Sequence, residues 1–200
     1  VTARTIEWAA TPLHAMYVIV PRGQQQRSFL PDGTLAGKTF TAKYGYVGIS
    51  VENDAFVMEG INEAGLGVGL FYFPQYGEYQ PYDPQKKEQS VSDMQLAAWI
   101  LSSFASINEL QAAMPQIRVI ATDPRASTVH WRITESSGRQ VVLEIVNQHV
   151  HFYENPLGVL TNSPDFGWHL TNLNNYVNLS AGSINHRQVG RLNLNAFGGG

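Results

Sequence analysis

Along the chain, short runs rich in β-branched and aromatic residues alternate with polar breaks that contain Gly and Pro, and this rhythm predicts strands over much of the length. Ala15–Val20 reads as a strand that ends at Pro21 and Gly23. Polar residues 24 to 38 separate it from a second strand region, Thr39 to Val51; the turn-like Glu52-Asn53-Asp54 then leads to a third apolar run, Ala55 to Ile61. These three read as neighbours in one antiparallel sheet. Asn62-Glu63-Ala64-Gly65 turns the chain into Leu66 to Phe73, whose alternating glycines predict one strand face lying close to another backbone. Pro74 to Ser90, with three prolines and three tyrosines, reads as a long surface loop, a kind of segment that often carries function.

The period then changes. Met94, Ala97, Ala98, Leu101 and Phe104 recur at helical spacing behind a capping-box pattern of Ser92 and Gln95, which predicts a helix over 92–104. Ser106 and Glu109 repeat the signal for a second helix that buries Ile107, Leu110 and Met114 and stops at Pro115. Thr128 to Thr134, Val141 to Val146 and Val150 to Tyr153, separated by turns at Ser136-Ser137-Gly138 and near Asn147, form a meander of strands. A short strand over Gly158–Thr161 leads to Asn162-Ser163-Pro164, where Ser163 suits a helix N-cap and Pro164 the first helical position. Phe166, Leu170, Leu173 and Val177 mark that helix's buried stripe. Strand groups interleaved with helix pairs, without a βαβ rhythm, predict one α+β layered domain over residues 1–200.

Composition narrows the function classes. With 44% hydrophobic and 14% charged residues, the chain has the makings of a substantial core. A formal net charge of -3, with scattered Lys and Arg, offers no basic stripe for a phosphate backbone, so nucleic acid is not expected as a partner. No apolar run reaches the roughly 18 residues of a membrane span. Cys is absent, which removes disulfides, thiolate metal sites and cysteine nucleophiles from these 200 residues.

Candidate chemistry starts with the histidines. His149 and His151 share one strand face, but no third ligand lies near them in sequence, so no metal is expected. His130, in Val129-His130-Trp131, reads as a packed strand residue. Gly65, Gly67 and Gly69 do not form a dinucleotide fingerprint, and no cofactor is expected. Arg4 and Glu7, three residues apart, could be a surface ion pair of little value. Tyr72 ends an apolar strand, where packing accounts for it. Asn162, at a strand end before a helix, could form an Asx turn or offer its amide to a developing oxyanion.

Taken together, Ala3-Arg4-Thr5-Ile6-Glu7-Trp8, Asn62-Glu63-Ala64-Gly65-Leu66 with Leu70 to Pro74, Val129-His130-Trp131, Leu160 to Phe166 and Leu170 to Tyr176 resemble the choloylglycine hydrolase family, which includes bile salt hydrolases and penicillin V acylases. The resemblance runs end to end, and its last two blocks are the most specific. It implies the αββα four-layer sandwich of the N-terminal nucleophile hydrolases, two antiparallel sheets between helical layers. It also implies cleavage of linear carbon–nitrogen amide bonds by an N-terminal Cys whose α-amino group is the base.

On that resemblance Arg4 stands near the thiol and favours its thiolate, Glu7 holds the α-amino group, and Asn162 donates to the oxyanion. Tyr72, where relatives carry Asn, Tyr or a bulkier aromatic, shapes the substrate pocket or assists that donor. Glu7 departs from the family's usual Asp by one methylene. The family's Cys lies on a strand more than ten residues before the Arg motif, so the expectation is a central fragment, incomplete at both ends and inactive alone. Thr2 would need Val1 removed and would then lack the strand and return that bring nucleophile and Arg together. Substrates implied are a penicillin V-like acyl amide, to which aromatic Tyr72 inclines the reading, or a conjugated bile salt. Family members form homotetramers, so a homo-oligomer is implied. The alternative is a non-catalytic relative that binds amphipathic acyl ligands in the old pocket.

Overall fold

The structure is a computed structural model and describes residues 2–7, 10–176 and 187–194. Contacts divide the chain into two units, 1–165 and 166–200. The first contains strands β1 (Ala15–Val20), β2 (Gln25–Arg27), β3 (Thr39–Thr41), β4 (Tyr46–Val51), β5 (Val57–Asn62), β6 (Gly67–Tyr72), β7 (Ser90–Ser92), β8 (Arg118–Ile120), β9 (Val129–Thr134), β10 (Gln140–Val146) and β11 (His149–Glu154). Its helices are α1 (Leu96–Ser103) and α2 (Ile107–Ala113). Seven strands form one antiparallel sheet in the order β1-β4-β5-β6-β9-β10-β11. β2 and β3 pair separately, and β7 runs parallel to β8. The second unit holds α3 (Phe166–Asn172) and a hairpin of β12 (Arg187–Val189) and β13 (Leu192–Leu194). The expected α+β class holds, with strands outnumbering helices and, among the described residues, a single parallel pair, β7 and β8, bracketing α1 and α2.

Strand alternation divides the large sheet into two chemically different faces. On one, Val68 and Leu70 of β6, Val129, Trp131 and Ile133 of β9, and Val141, Leu143 and Ile145 of β10 are buried in the core. Helix α1 packs on this face so closely that a Cβ on Gly60 would come within 2.7 Å of Leu101 Cδ1. The sequence predicts a single buried stripe on this helix; in the structure Leu96 through Ser102 are all buried, because α1 also contacts β3 and β7. The other sheet face carries the exposed Tyr17, Ile19, Val47 and Ile61, and farther along it the charged Glu59 and Arg132.

Several elements differ from the sequence reading for local reasons. The Thr39–Val51 region is two strands, because the backbone N–H groups of Lys43 and Tyr44 donate to the Ser102 carbonyl at the end of α1 instead of joining a ladder. The Ser92–Gln95 box does not form: Gln95 turns away to accept from Phe29 N at 2.6 Å and Ser28 Oγ at 3.1 Å. Ser106 does cap α2, accepting from Glu109 N, while Glu109 accepts from Ala105 N. Tyr79, assigned to a surface loop, is buried and bonds both backbone groups of Val129. Residues 158–161 are not a strand; Asn155 holds this stretch by donating to Val159 O and accepting from Gly158 N. Ser163 donates to Pro74 O at 2.8 Å rather than capping, and α3 starts at Phe166. Phe166 is buried, Leu170 and Leu173 are exposed, and Val177 lies outside the described residues.

Asp93 takes over at the start of the α1 region, accepting from Met94 N and from Thr122 N and Oγ1. Burial nevertheless outweighs these donors and raises its carboxyl above 3.8. The folded state therefore keeps this proton to a higher pH than the unfolded chain does. The associated stability is fully present below pH 3.8 and is lost as pH rises through the folded pKa. Urea unfolding of the parent and Asp93→Asn between pH 4 and 7 is expected to show the parent losing ground to the variant as pH rises.

Candidate active site

A row of residues across β5, β6 and β9 creates the charged centre of the second face. Glu59 and Arg132 both stand opposite Gly69 in the ladder. With no side chain at Gly69, the Glu59 carboxylate lies over the strand between them; a Cβ there would sit 2.3 Å from Glu59 Oε2. The alternating glycines thus admit side chains rather than another backbone, since a Cβ on Gly67 would meet Thr134 Oγ1 at 2.7 Å. Arg132 Nη2 donates to Glu59 Oε1 at 3.0 Å. Gly69→Ala is expected to push the carboxylate out of this bridge at a cost of about 1–3 kcal/mol, checked by thermal unfolding and a crystal structure of the variant.

Arg4 descends on the same cluster. Its Nη1 donates to Leu70 O at 2.6 Å and to Met58 O at 3.1 Å, and lies 3.6 Å from Glu59 Oε2. Its guanidinium stacks 4.4 Å from the centre of the Phe71 ring, an arrangement that favours a cation over a π face. Burial lowers the Arg4 pKa, as does Arg132, against the pull of Glu59. Burial likewise raises Glu59, against the two arginines. Two guanidinium groups around one carboxylate leave a local excess of positive charge when all are ionised, which favours a thiolate or another anion placed beside them.

Two residues farther along β6, about 7 Å by strand rise, Tyr72 N donates to Asn162 Oδ1 at 3.0 Å. A backbone N–H can only donate, so the amide oxygen must face it and the Asn162 NH2 must face the other way. The Tyr72 hydroxyl reaches Ser127 Oγ at 2.9 Å. Arg4, Tyr72 and Asn162 are therefore gathered along one strand. Glu7 is not: it is exposed and makes no hydrogen bond or ion pair among the described residues, and Arg4 pairs with Glu59 instead. Trp8 of the same motif lies outside the described residues.

Sequence reasoning missed Glu59 and Arg132. Their signal was a charge interrupting an apolar strand, Val57-Met58-Glu59 and Trp131-Arg132-Ile133, where strand patterning calls for none without a purpose. His130 is fully buried, with Nδ1 3.0 Å from Glu144 Oε1 and Nε2 2.9 Å from Thr161 O. His149 and His151 lie on β11, one against Asn147 O and the other stacked on Tyr153. Among the described residues, no three His, Cys, Asp or Glu side chains are grouped to hold a metal ion.

Comparison with known proteins gives this geometry its relatives. The chain is 32% identical over 169 residues to a bile salt hydrolase/transferase of Clostridium perfringens, covering 82% of this chain and 51% of that protein. It is 27% identical over 196 residues to a penicillin V acylase of Pectobacterium atrosepticum, covering 92% of this chain and 50% of the acylase. The crystal structure of a variant of conjugated bile acid hydrolase from Clostridium perfringens superposes with a TM-score of 0.71 at 29% identity, covering 93% of this chain and 57% of that one. The chain thus spans about half the length of the curated relatives it matches. The family described as linear amide C–N hydrolases, choloylglycine hydrolase family, matches over residues 1–200. With that match and an α+β fold shared with these amide hydrolases, the chain belongs to the choloylglycine hydrolase family.

Proposed function

We propose that the complete protein hydrolyses linear carbon–nitrogen amide bonds, with a Cys supplied by a segment preceding Arg4 as nucleophile and residues 1–200 as part of a single catalytic domain. Attack on the amide carbonyl forms a thioester while the C–N bond breaks. The thiol proton passes through the α-amino group to the leaving amine, and water then hydrolyses the acyl-enzyme. The observation that carries the reading is the Asn162 amide, its oxygen held by Tyr72 N on the strand to which Arg4 is bonded. That bond turns the N–H side of the amide away from Tyr72 N, the side proposed to meet an oxyanion, and Arg4 supplies positive charge farther along the same strand. Glu7 is proposed to hold the α-amino group once that group is present, and the Tyr72 ring to bound the substrate's acyl side.

The substrate class is an acyl amide of the penicillin V kind or a conjugated bile salt, and the complete enzyme is a homo-oligomer. The Clostridium perfringens and Pectobacterium atrosepticum relatives, named for these two activities, support that range. Among the described residues no helix is long and apolar enough to cross a membrane. The test is to express the complete gene product and measure release of phenoxyacetate from penicillin V and of glycine or taurine from conjugated bile salts. Turnover that vanishes when the upstream Cys is changed to Ala is the expected result. Ligand binding with no turnover of either class would overturn it.

A further inference from the structure

Resting on the reading of Asn162 as the oxyanion donor, we propose that His130 and Glu144 are positioning residues for that donor, acting through the Thr161 carbonyl. Both side chains are fully buried in the large sheet, His130 on β9 and Glu144 on β10. An ionisable pair with no access to water is costly to bury, and its outer end shows a use for it. His130 Nε2 meets Thr161 O at 2.9 Å, and a carbonyl can only accept, so Nε2 carries the hydrogen between them. Glu144 Oε1, 3.0 Å from Nδ1, fixes the ring's rotation, as a carboxylate behind a functional imidazole does. Phe73 stacks on the ring at 4.3 Å with planes 8° apart, and Phe71 meets it edge-on.

Thr161 directly precedes Asn162, in a stretch that has no strand ladder to locate it. Three consecutive residues are instead tied to the sheet and its exit one by one. Thr161 O accepts from His130, Asn162 Oδ1 accepts from Tyr72 N, and Ser163 Oγ donates to Pro74 O. The bond to Tyr72 N sets which way the amide faces. The His130 bond fixes the backbone carbonyl directly before it. A donor must lie within a few tenths of an ångström of its place to count in a transition state, and misplacement by about 1 Å can cost a hundredfold in rate.

The test compares side chains that keep different halves of His130. In the complete gene product, His130→Gln retains a donor where Nε2 stood, His130→Asn retains a group where Nδ1 stood, and Asn162→Ala is the reference. The measured quantities are kcat, KM and thermal unfolding, with penicillin V or glycocholate, whichever the parent turns over. The expected result is a kcat about ten- to a hundredfold below the parent for His130→Asn, with KM nearly unchanged and a smaller loss for His130→Gln. Adding His130→Asn to Asn162→Ala should lower kcat no further.

A merely structural His130 would make kcat follow stability, not the retained donor. The proposal is overturned if folded His130→Asn keeps the parent's kcat, or if His130→Gln is no better than His130→Asn. Should Asn162→Ala itself leave kcat unchanged, it is the oxyanion reading that has failed. One measurement requires no variant: the imidazole 15N spectrum must show His130 Nε2 protonated, and an unprotonated Nε2 overturns the proposal.

Discussion

Asn162→Ala in the complete gene product is expected to lower kcat by about a hundredfold or more while KM changes little, because an oxyanion donor acts in the transition state and hardly at all on the bound ground state. Asn162→Asp sharpens the expectation. Its carboxylate can still accept from Tyr72 N, so the side chain keeps its place, but it has no N–H to offer and places negative charge where negative charge develops. The two variants should therefore lose comparable activity although only Ala loses the bond to Tyr72. Steady-state kinetics on one substrate decides the matter: an Asp variant near parental kcat would mean that the bond to Tyr72, and not the amide N–H, is what the enzyme uses.

Trp131→Ala is expected to destabilise the protein by about 3–5 kcal/mol, the range for removing a large aromatic side chain from a packed core. Trp131 has no exposed surface and sits on β9 between β6 and β10, within the hydrophobic core. Its indole Nε1 is buried with no hydrogen-bond partner among the described residues. Leaving a buried donor unsatisfied costs about 1–3 kcal/mol, so Trp131→Phe, which removes that N–H along with some volume, should cost much less than its lost packing alone suggests. Urea unfolding of the three proteins checks both figures. A Phe variant as unstable as the Ala variant would show that the indole's shape, not its area, holds the core. Loss of Trp131 also reaches function, since its chain neighbours His130 and Arg132 project to the opposite face, where the candidate site stands.

Much of the sheet was legible from the chain because each strand carries its own period. Ala15–Val20, the meander from β9 to β11 and the helix over 107–113 were all readable from local alternation or spacing. What was misread depended on distant partners: Gln95 looked like half of a capping box until Phe29 N and Ser28 Oγ were seen to claim it. Ser163 looked like an N-cap until Pro74 O, 89 residues away, took its hydroxyl. Among site residues, Arg4, Tyr72 and Asn162 carried motif signals and converge on β6. Glu59 and Arg132 carried only an out-of-place charge, because the glycine that lets them meet lies on a third strand.

The sequence by itself determined most of the longer strands and the helix over 107–113, that the fold is α+β and to which family the chain belongs, since hydrophobic period and contiguous motifs are properties of neighbouring residues. Only the tertiary structure decided that Arg4 pairs with Glu59 rather than Glu7, that Gly69 makes room for the carboxylate, and that Asn162 is aimed by Tyr72 N and Thr161 is held by His130. Each of these joins residues far apart in the chain; the meeting of Glu59 and Arg132 over Gly69 is created by strand register, which is set by the packing of a whole face and not by any local run of residues.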